Sequence, residues 1–267
     1  MSSQQVGGAG LFDAMNYGLY LSAAGVMTNS YRQDVIANNL ANSETVGFRR
    51  DVPLFHERLT SAMEMRSRAQ WGEKLFDDLT GGIWAMPTGM DLTQGDLEPT
   101  GNSLDAAIVG DGFFQVLTAG GDMRMTRDGR FMVDAAGRLV TPGGQSVLDI
   151  NGQPIRLNPG RIHSLDKYGT ISADGTVVAQ LAIVQVTDPT TLRKEGGGLL
   201  AVSDPAQIAP ATSAELLTQT VERANVDPVI ELTQLMDAQR QLEANANMIR
   251  YQDQMLSKLV NEVGKIG

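Results

Sequence analysis

A chain of 267 residues with 42% hydrophobic content can bury a sizeable core, in one large domain or two modest ones. Its formal charge of −10, from 21 basic and 31 acidic residues, argues against nucleic-acid binding, which needs clustered Lys and Arg. Cysteine is absent, which removes disulfides, thiolate metal sites and thiol nucleophiles together.

Aromatics at 5% beside 29 glycines fit many turns and small-residue packing better than a large ligand pocket. No apolar run reaches the roughly 18 residues of a membrane-spanning helix, so no transmembrane segment is expected. The start, Met1 to Gly10, is polar and glycine-rich. It lacks the basic and apolar regions of a cleaved secretory signal. A protein of this kind that leaves the cytoplasm needs a route that does not read one.

The first element is a helix over about residues 11–42. Leu21, Ala24, Thr28, Tyr31 and Val35 alternate by three and four positions, and Asn38 and Asn42 continue the stripe in polar form. Gly18 and Gly25 each lower helix propensity by ~1 kcal/mol relative to alanine, so the helix needs a partner. The amides of Asn38, Asn39 and Asn42 suit either a network at a subunit contact or capping and solvation of a helix end. Gly47 stops the helix, with Phe48 as an anchor beyond it. The pair Arg49-Arg50 suits either contact with an acidic neighbour or a solvated charge pair.

Residues 53–81 carry Arg58, Met63, Met65, Arg66 and Arg68 without a clean period and read as a flexible or partly helical connector. From about Met90 to Ala211 the pattern is β. Its apolar runs are Ala106–Val109, Phe113–Leu117, Arg130–Val133, Leu139–Val140, Val147–Ile150 and Thr176–Val186. Turns are supplied by Asp111-Gly112, Asp128-Gly129, Gly143-Gly144, Asn151-Gly152 and Asp174-Gly175, where glycine takes positive φ without a Cβ clash. Strands at this spacing suggest a barrel or sandwich.

From Asp227 to Val263 the chain reads as one uninterrupted helix. Asp227 suits the cap and Pro228 the first turn. Leu232, Gln239, Ala246, Asp253 and Val260 recur every seven residues, and Leu235, Leu242, Ile249, Leu256 and Val263 follow each by three. That is the heptad pattern of a helix packing lengthwise on another. A rod of ~54 Å with such a seam points to assembly rather than catalysis. Met236, Met248 and Met255 near it suit adaptable contacts or ordinary filling.

The fold class is therefore α+β. Long N- and C-terminal helices pair as a coiled coil, seam to seam, around an inserted mainly-β domain of barrel or sandwich type. The divisions are an N-terminal helical segment at 1–52, the connector at 53–81, the β-domain at 82–211 and a C-terminal helical segment at 212–267.

Chemistry is hard to find in this chain. The Asp-Gly pairs lack calcium-loop spacing. His56 and His163 sit in unrelated contexts, and no nucleophile elbow, P-loop or dinucleotide fingerprint occurs. No cofactor or metal is expected. The best enzyme reading, a hydrolase using Asp105 and Asp111, rests on acidity alone. A surface-binding, adhesin-like β-domain on a helical stalk fits the composition nearly as well.

Three blocks decide between these readings. Ile36-Ala37-Asn38-Asn39-Leu40-Ala41-Asn42 with Thr45-Val46-Gly47-Phe48-Arg49-Arg50 resembles the signature of bacterial flagellar rod and hook proteins, the axial family of the basal body. The run Thr100 to Val116, then Thr126-Arg127-Asp128-Gly129-Arg130-Phe131 through Gly144, resembles that family's central β-motif. Asn225-Val226-Asp227 leading to Gln239-Arg240 and Glu243-Ala244-Asn245 resembles its C-terminal helix. The blocks stand in family order and cover most of the chain. Gln219-Thr220 replaces a Gln-Gly pair of the family, Ala224 a serine, and Gln241-Leu242 the Ala-Tyr of distal-rod members. These departures, with the opening Gly18 to Gly25, tilt the resemblance toward the proximal-rod type. The length leaves no space for the extra outer domains of typical hook proteins.

The resemblance implies a non-enzymatic structural subunit of the basal-body rod. Such a subunit is exported through the flagellar type III apparatus without signal cleavage. Its terminal helices order on assembly into coiled-coil layers around a central channel, with the β-domain outside. The implied partners are other rod subunits, further copies of itself and the export apparatus. The assembly contacts implied for this chain are Leu21, Ala24, Tyr31, Val35, Asn38, Asn39 and Asn42 on the first helix. On the second they are Leu232, Leu235, Leu242, Ala246, Ile249 and Leu256.

Overall fold

A computed structural model describes residues 7–57, 83–158, 160–211 and 214–263. The chain divides into two compact units. The first joins Met1–Leu40, Asp51–Gly89 and Pro228–Gly267; the second joins Ala41–Arg50 and Met90–Asp227.

The first unit holds both helices, α1 (Gly7–Ala41) and α2 (Pro228–Val263), and a two-stranded ribbon of Asp51–Glu57 and Ile83–Met90. Proline at the first position of α2 needs no helical N–H, and Glu231 in the first turn complements the dipole. The ribbon strand at 51–57 occupies the start of the stretch read above as a connector, and most of that connector falls outside the described residues. The strand fits its composition: Val52 and Phe55 favour extended backbone, and Pro53 is tolerated in a two-stranded ribbon. Tyr31 of α1 meets Phe55 edge-on at 6.1 Å and donates its hydroxyl to the Met86 carbonyl at 2.8 Å. The guanidinium of Arg32 lies over the same Phe55 ring.

The second unit is built on an antiparallel sheet of nine strands. Along its main path the strands run Leu192–Gly196, Leu199–Val202, Met123–Thr126, Phe113–Leu117, Ser146–Val147, Leu139–Val140 and Met132–Val133. Ile183–Val186 branches from Phe113–Leu117 and carries Ile208–Pro210. The sheet corrects the barrel expectation. Among the described residues its two end strands, Leu192–Gly196 and Met132–Val133, do not pair, so no closed barrel forms. Short strands and the branch bend the surface without returning its edges to each other.

Period-two alternation gives the sheet two apolar faces. Phe114, 0% exposed, enters a core with Ile108, Val116, Leu139, Val147 and Leu181, and meets Phe131 edge-on at 5.0 Å. Its neighbour Phe113 faces the other way, into Met125, Val184, Leu192 and Leu200. Each fully buried side chain of this size stabilises the fold by about 1.5–3 kcal/mol. Three smaller sheets complete the unit. One is His163–Leu165, Thr170–Ala173 and Thr176–Gln180; the others pair Glu215–Thr218 with Ala106–Val109 and Thr220–Glu222 with Leu97–Pro99.

Candidate assembly site

The helices of the first unit run antiparallel past one another. A Cβ added at Gly18 would lie 2.7 Å from Gln252 Nε2, and one at Gly25 would lie 2.6 Å from Asn245 Nδ2. The two glycines admit side chains that any larger residue would displace. Stepping from them by four and three gives Ser22, Asn29, Arg32, Ile36 and Asn39, all buried except the half-buried Arg32. On α2 the same steps through Asn245 and Gln252 give Glu231, Leu235, Ala238, Leu242, Ile249 and Leu256. Glu231 and Ala238 are buried at 1%, and the others are half-buried.

This differs by one residue from the seams read in the sequence. The series Leu235, Leu242, Ile249 and Leu256 does lie on the shielded side. Its companion does not. Leu232 is 48% exposed, Gln239 and Asp253 are exposed and Ala246 is half-buried. On α1, Leu21 and Asn38 are exposed, Ala24, Thr28 and Tyr31 are half-buried and Val35 is buried; Asn42 lies just past the helix and is half-buried. The side chains of Val260 and Val263 fall outside those described. The inner stripe mixes amides with Ile36, Leu235, Leu242, Ile249 and Leu256, and Gly18 and Gly25 make room for Gln252 and Asn245. Apolar side chains are left outside: Leu21 and Met27 on α1, and Val229, Ile230, Leu232, Met236, Met248 and Met255 on α2.

Asn39 is fully buried within its own unit. Its Nδ2 donates to the Asp51 carbonyl at 2.8 Å, and its Oδ1 accepts the Asp51 N–H at 2.8 Å. One side-chain amide thus pairs with a strand backbone as another strand would. Asn38 Nδ2 donates to Asp51 Oδ2 at 3.2 Å. In the second unit, Asn42 Oδ1 accepts the Thr45 hydroxyl at 3.3 Å.

The second unit contains a charge cluster that the sequence reading missed. Arg49, read above as a contact to a neighbour or a solvated charge, is buried at 2% and donates to Glu222 Oε1 at 2.6 Å. Arg127 donates to Glu222 Oε2 at 3.0 Å, and Glu222 is 0% exposed. Glu222 Oε1 also accepts the Gly95 N–H at 2.9 Å. Arg49 Nη1 donates to the Thr93 carbonyl at 3.0 Å, and Arg127 Nη2 to the Gly110 carbonyl at 2.7 Å. Burial pushes the Arg127 guanidinium below its ordinary value, opposed by Glu222 and reinforced by Arg49. The available signal was that Arg49 and Arg127 both stand inside the recognised blocks and beside structurally demanding glycines. Gly47 takes φ +70, and a Cβ there would lie 2.5 Å from the backbone of Arg127 and Asp128.

The carboxylates proposed for hydrolysis stand in different settings. Asp105 is buried and accepts from Thr100 at 2.7 Å and Asn102 at 2.8 Å, which fixes a loop; Asp111 is exposed. His163 is buried, with Nε2 3.1 Å from the Asn158 carbonyl. Among the described residues no helix is long and apolar enough to cross a membrane.

Three family models match in order along the chain. One described as "Flagella basal body rod protein" covers residues 19–49. One described as "Flagellar hook protein FlgE/F/G D1 domain" covers 107–179, and one described as "Flagellar basal body rod FlgEFG protein C-terminal" covers 217–262. Arg49, Arg127 and Glu222 fall one in each. Flagellar basal-body rod protein FlgF of Caulobacter vibrioides is 33% identical over 256 residues, covering 94% of this chain and 100% of its own. Flagellar basal-body rod protein FlgG of Buchnera aphidicola subsp. Schizaphis graminum is 32% identical, covering 90% and 97%. FlgG of Bacillus subtilis is 30% identical, covering 91% and 97%.

Proposed function

Because this chain belongs to the family of flagellar basal-body rod proteins and is a structural subunit of the flagellar rod, we propose that it joins the rod through the outward faces of its two helices. The observation that carries this is the apolar set left outside the helix pair. Glycines and amides share the inward side with Ile36, Leu235, Leu242, Ile249 and Leu256, while Leu21, Met27, Ile230, Leu232, Met236 and Met255 remain exposed. Removing apolar surface from water stabilises by about 25 cal/mol per Å². These side chains gain that only when another helix covers them.

In this reading the pair is an antiparallel coiled coil that further copies of itself and other rod subunits extend into a layer. The heptad steps on both helices support it. The flagellar export apparatus carries the subunit out without cleaving a signal, and the protein performs no catalysis of its own. The departures at Gln219-Thr220, Ala224 and Gln241-Leu242 support a proximal-rod position.

The test is Leu232→Asp. The half-exposed leucine leaves little packing in the isolated subunit, so the melting of the β unit stays as in the wild type. A charge placed on a face that assembly buries costs several kcal/mol if left unpaired. Incorporation into basal bodies, followed by immunoblot of purified structures and by swimming in soft agar, is lost. Normal incorporation would sink the reading, as would loss of the β unit's melting transition.

A further inference from the structure

We propose that the buried Arg49–Glu222–Arg127 cluster is a positioning device that fixes where the two helices leave the β unit, rather than a source of the unit's stability. Its bearing on assembly rests on the function proposed above; its geometric part does not.

Two segments meet at the cluster. Residues 47–50 lead out of α1, and residues 222–226 lead into α2. Gly47 N–H donates to the Glu222 carbonyl at 2.7 Å, and Arg50 N–H to Asn225 Oδ1 at 2.6 Å. The Arg50 carbonyl accepts from Asp91 N–H at 2.9 Å, and the Arg49 carbonyl from Lys194 Nζ. Phe48 packs with Ala224 and Val226, and the Lys194 ammonium lies 4.0 Å from the Phe48 ring centre. The Arg49 side chain then crosses to Glu222, which also holds Arg127 from the middle of the sheet. Three parts of the sequence far apart in the chain are thus tied at one carboxylate.

The charges argue against a stabilising role. Two guanidinium groups share one buried carboxylate, with Asp111 and Asp91 acting on them from farther away. Arg49 Nε and Nη2 and Arg127 Nε have no hydrogen-bond partner among the described residues. Desolvating charges is costly, and apolar replacement of buried ionic groups is often neutral or stabilising. What an apolar group cannot supply is direction. A carboxylate that takes one guanidinium on each oxygen, with Arg49 and Arg127 also bonded to the Thr93 and Gly110 carbonyls, restricts the arrangement of the three segments more than packed side chains do.

The test uses the absence of cysteine. Cysteines introduced at the exposed Ala41 and Asp227 carry spin labels, and pulsed dipolar spectroscopy reads the distance between the two exits in the full chain. The variant is Arg49→Met with Arg127→Met and Glu222→Gln. Glutamine keeps an acceptor for Gly95 N–H, Thr93 O keeps its bonds from Asn225, and Gly110 is exposed to water.

The expected result is a melting midpoint unchanged or raised by up to about 10 °C, together with a broadened distance distribution and reduced incorporation into basal bodies. Arg49→Met alone, which leaves a charge-balanced Glu222–Arg127 pair, broadens the distribution in the same way. It carries the test if the triple variant does not melt cooperatively. A wild-type distance distribution in a folded variant overturns the proposal, whatever the rod does. So does a large fall in the melting midpoint of Arg49→Met. Failure of Leu232→Asp to block incorporation, with the distance result intact, would remove only the assembly reading.

Discussion

In the β unit Phe114, Val116, Leu139 and Val147 are each 0% exposed and share one core. Along the helix pair the arrangement is mixed. Gly18, Gly25, Asn29, Asn245 and Gln252 face inward, while Leu232, Met236, Met248 and Met255 look out. The β unit packs two apolar cores of its own, although Met123, Ile150, Ile162 and Val177 stay exposed. The helical unit shields Ile36, Leu235, Leu242, Ile249 and Leu256 but leaves a second apolar set in water, the set proposed above for assembly. On the function proposed above, stability and assembly fall in different units, and substitutions in the two should be read out by different measurements.

The sharpest contrast comes from the β core. Phe114→Ala removes a fully buried ring that meets Phe131 at 5.0 Å, and is expected to destabilise the β unit by about 3–5 kcal/mol. Urea unfolding followed by far-ultraviolet dichroism measures it. A loss below about 1 kcal/mol would mean that the core collapses into the gap and is less specific than its packing indicates.

A smaller effect is expected where Asn39 ties the first helix to the ribbon of its own unit. Asn39→Ala leaves the Asp51 N–H and carbonyl without the amide that pairs with both, at a local cost of about 1–3 kcal/mol. Hydrogen exchange of the strand Asp51–Glu57 should speed up while the β unit's midpoint holds. Equal loss in both units would break the separation.

The smallest effect is electrostatic. The Asp134 carboxyl is held below its ordinary value by the Arg138 N–H, and Asp149 by the Gln153 N–H. Groups depressed in the folded state contribute stability that is present above their unfolded value, about 3.9, and is lost as pH falls through the lower folded values. The β unit's melting midpoint should therefore decline in acid below about pH 4. Asp134→Asn with Asp149→Asn should flatten part of that limb, and an unchanged acid limb would count against it.

These aspartates also show how far the sequence could be read. Asp134, Asp149 and Asp166 each accept two N–H groups of the turn that follows, and Gly137, Gly152 and Gly169 close those turns at φ +76, +74 and +79. Thr118 to Gly121 and Thr141 to Gly144 repeat the backbone pattern. Dipeptide reading located Asn151-Gly152 and Gly143-Gly144 but saw only the end of a longer turn, a type I turn closed by a left-handed residue. It was correct for Asp174-Gly175, where both residues take positive φ. It failed at Asp128-Gly129, where glycine serves close approach: a Cβ would sit 1.6 Å from the Ala106 carbonyl oxygen.

The helices were legible in extent, and the second proved Pro228–Val263. Their facing side was legible in part: Leu235, Leu242, Ile249 and Leu256 are shielded, while the companion series through Leu232 lies one residue from the inward stripe. Glu222 was illegible for a related reason, since nothing in Thr220-Val221-Glu222 distinguishes a buried carboxylate from a solvated one until its partners from two distant segments are known.

The pairing of first and last strands has a consequence for timing. Ala106 pairs with Thr218 and Leu97 with Glu222. Any process that delivers the chain from its N-terminus must present almost the whole sequence before either pair can form. Loop closure over such a span comes late, because its entropic cost precedes the contacts that offset it. Until residue 222 arrives, the two small sheets that join residues 97–109 to 215–222 cannot both form, whereas the nine-stranded sheet lies wholly within 113–210. The fold therefore completes only as its final helix is about to follow.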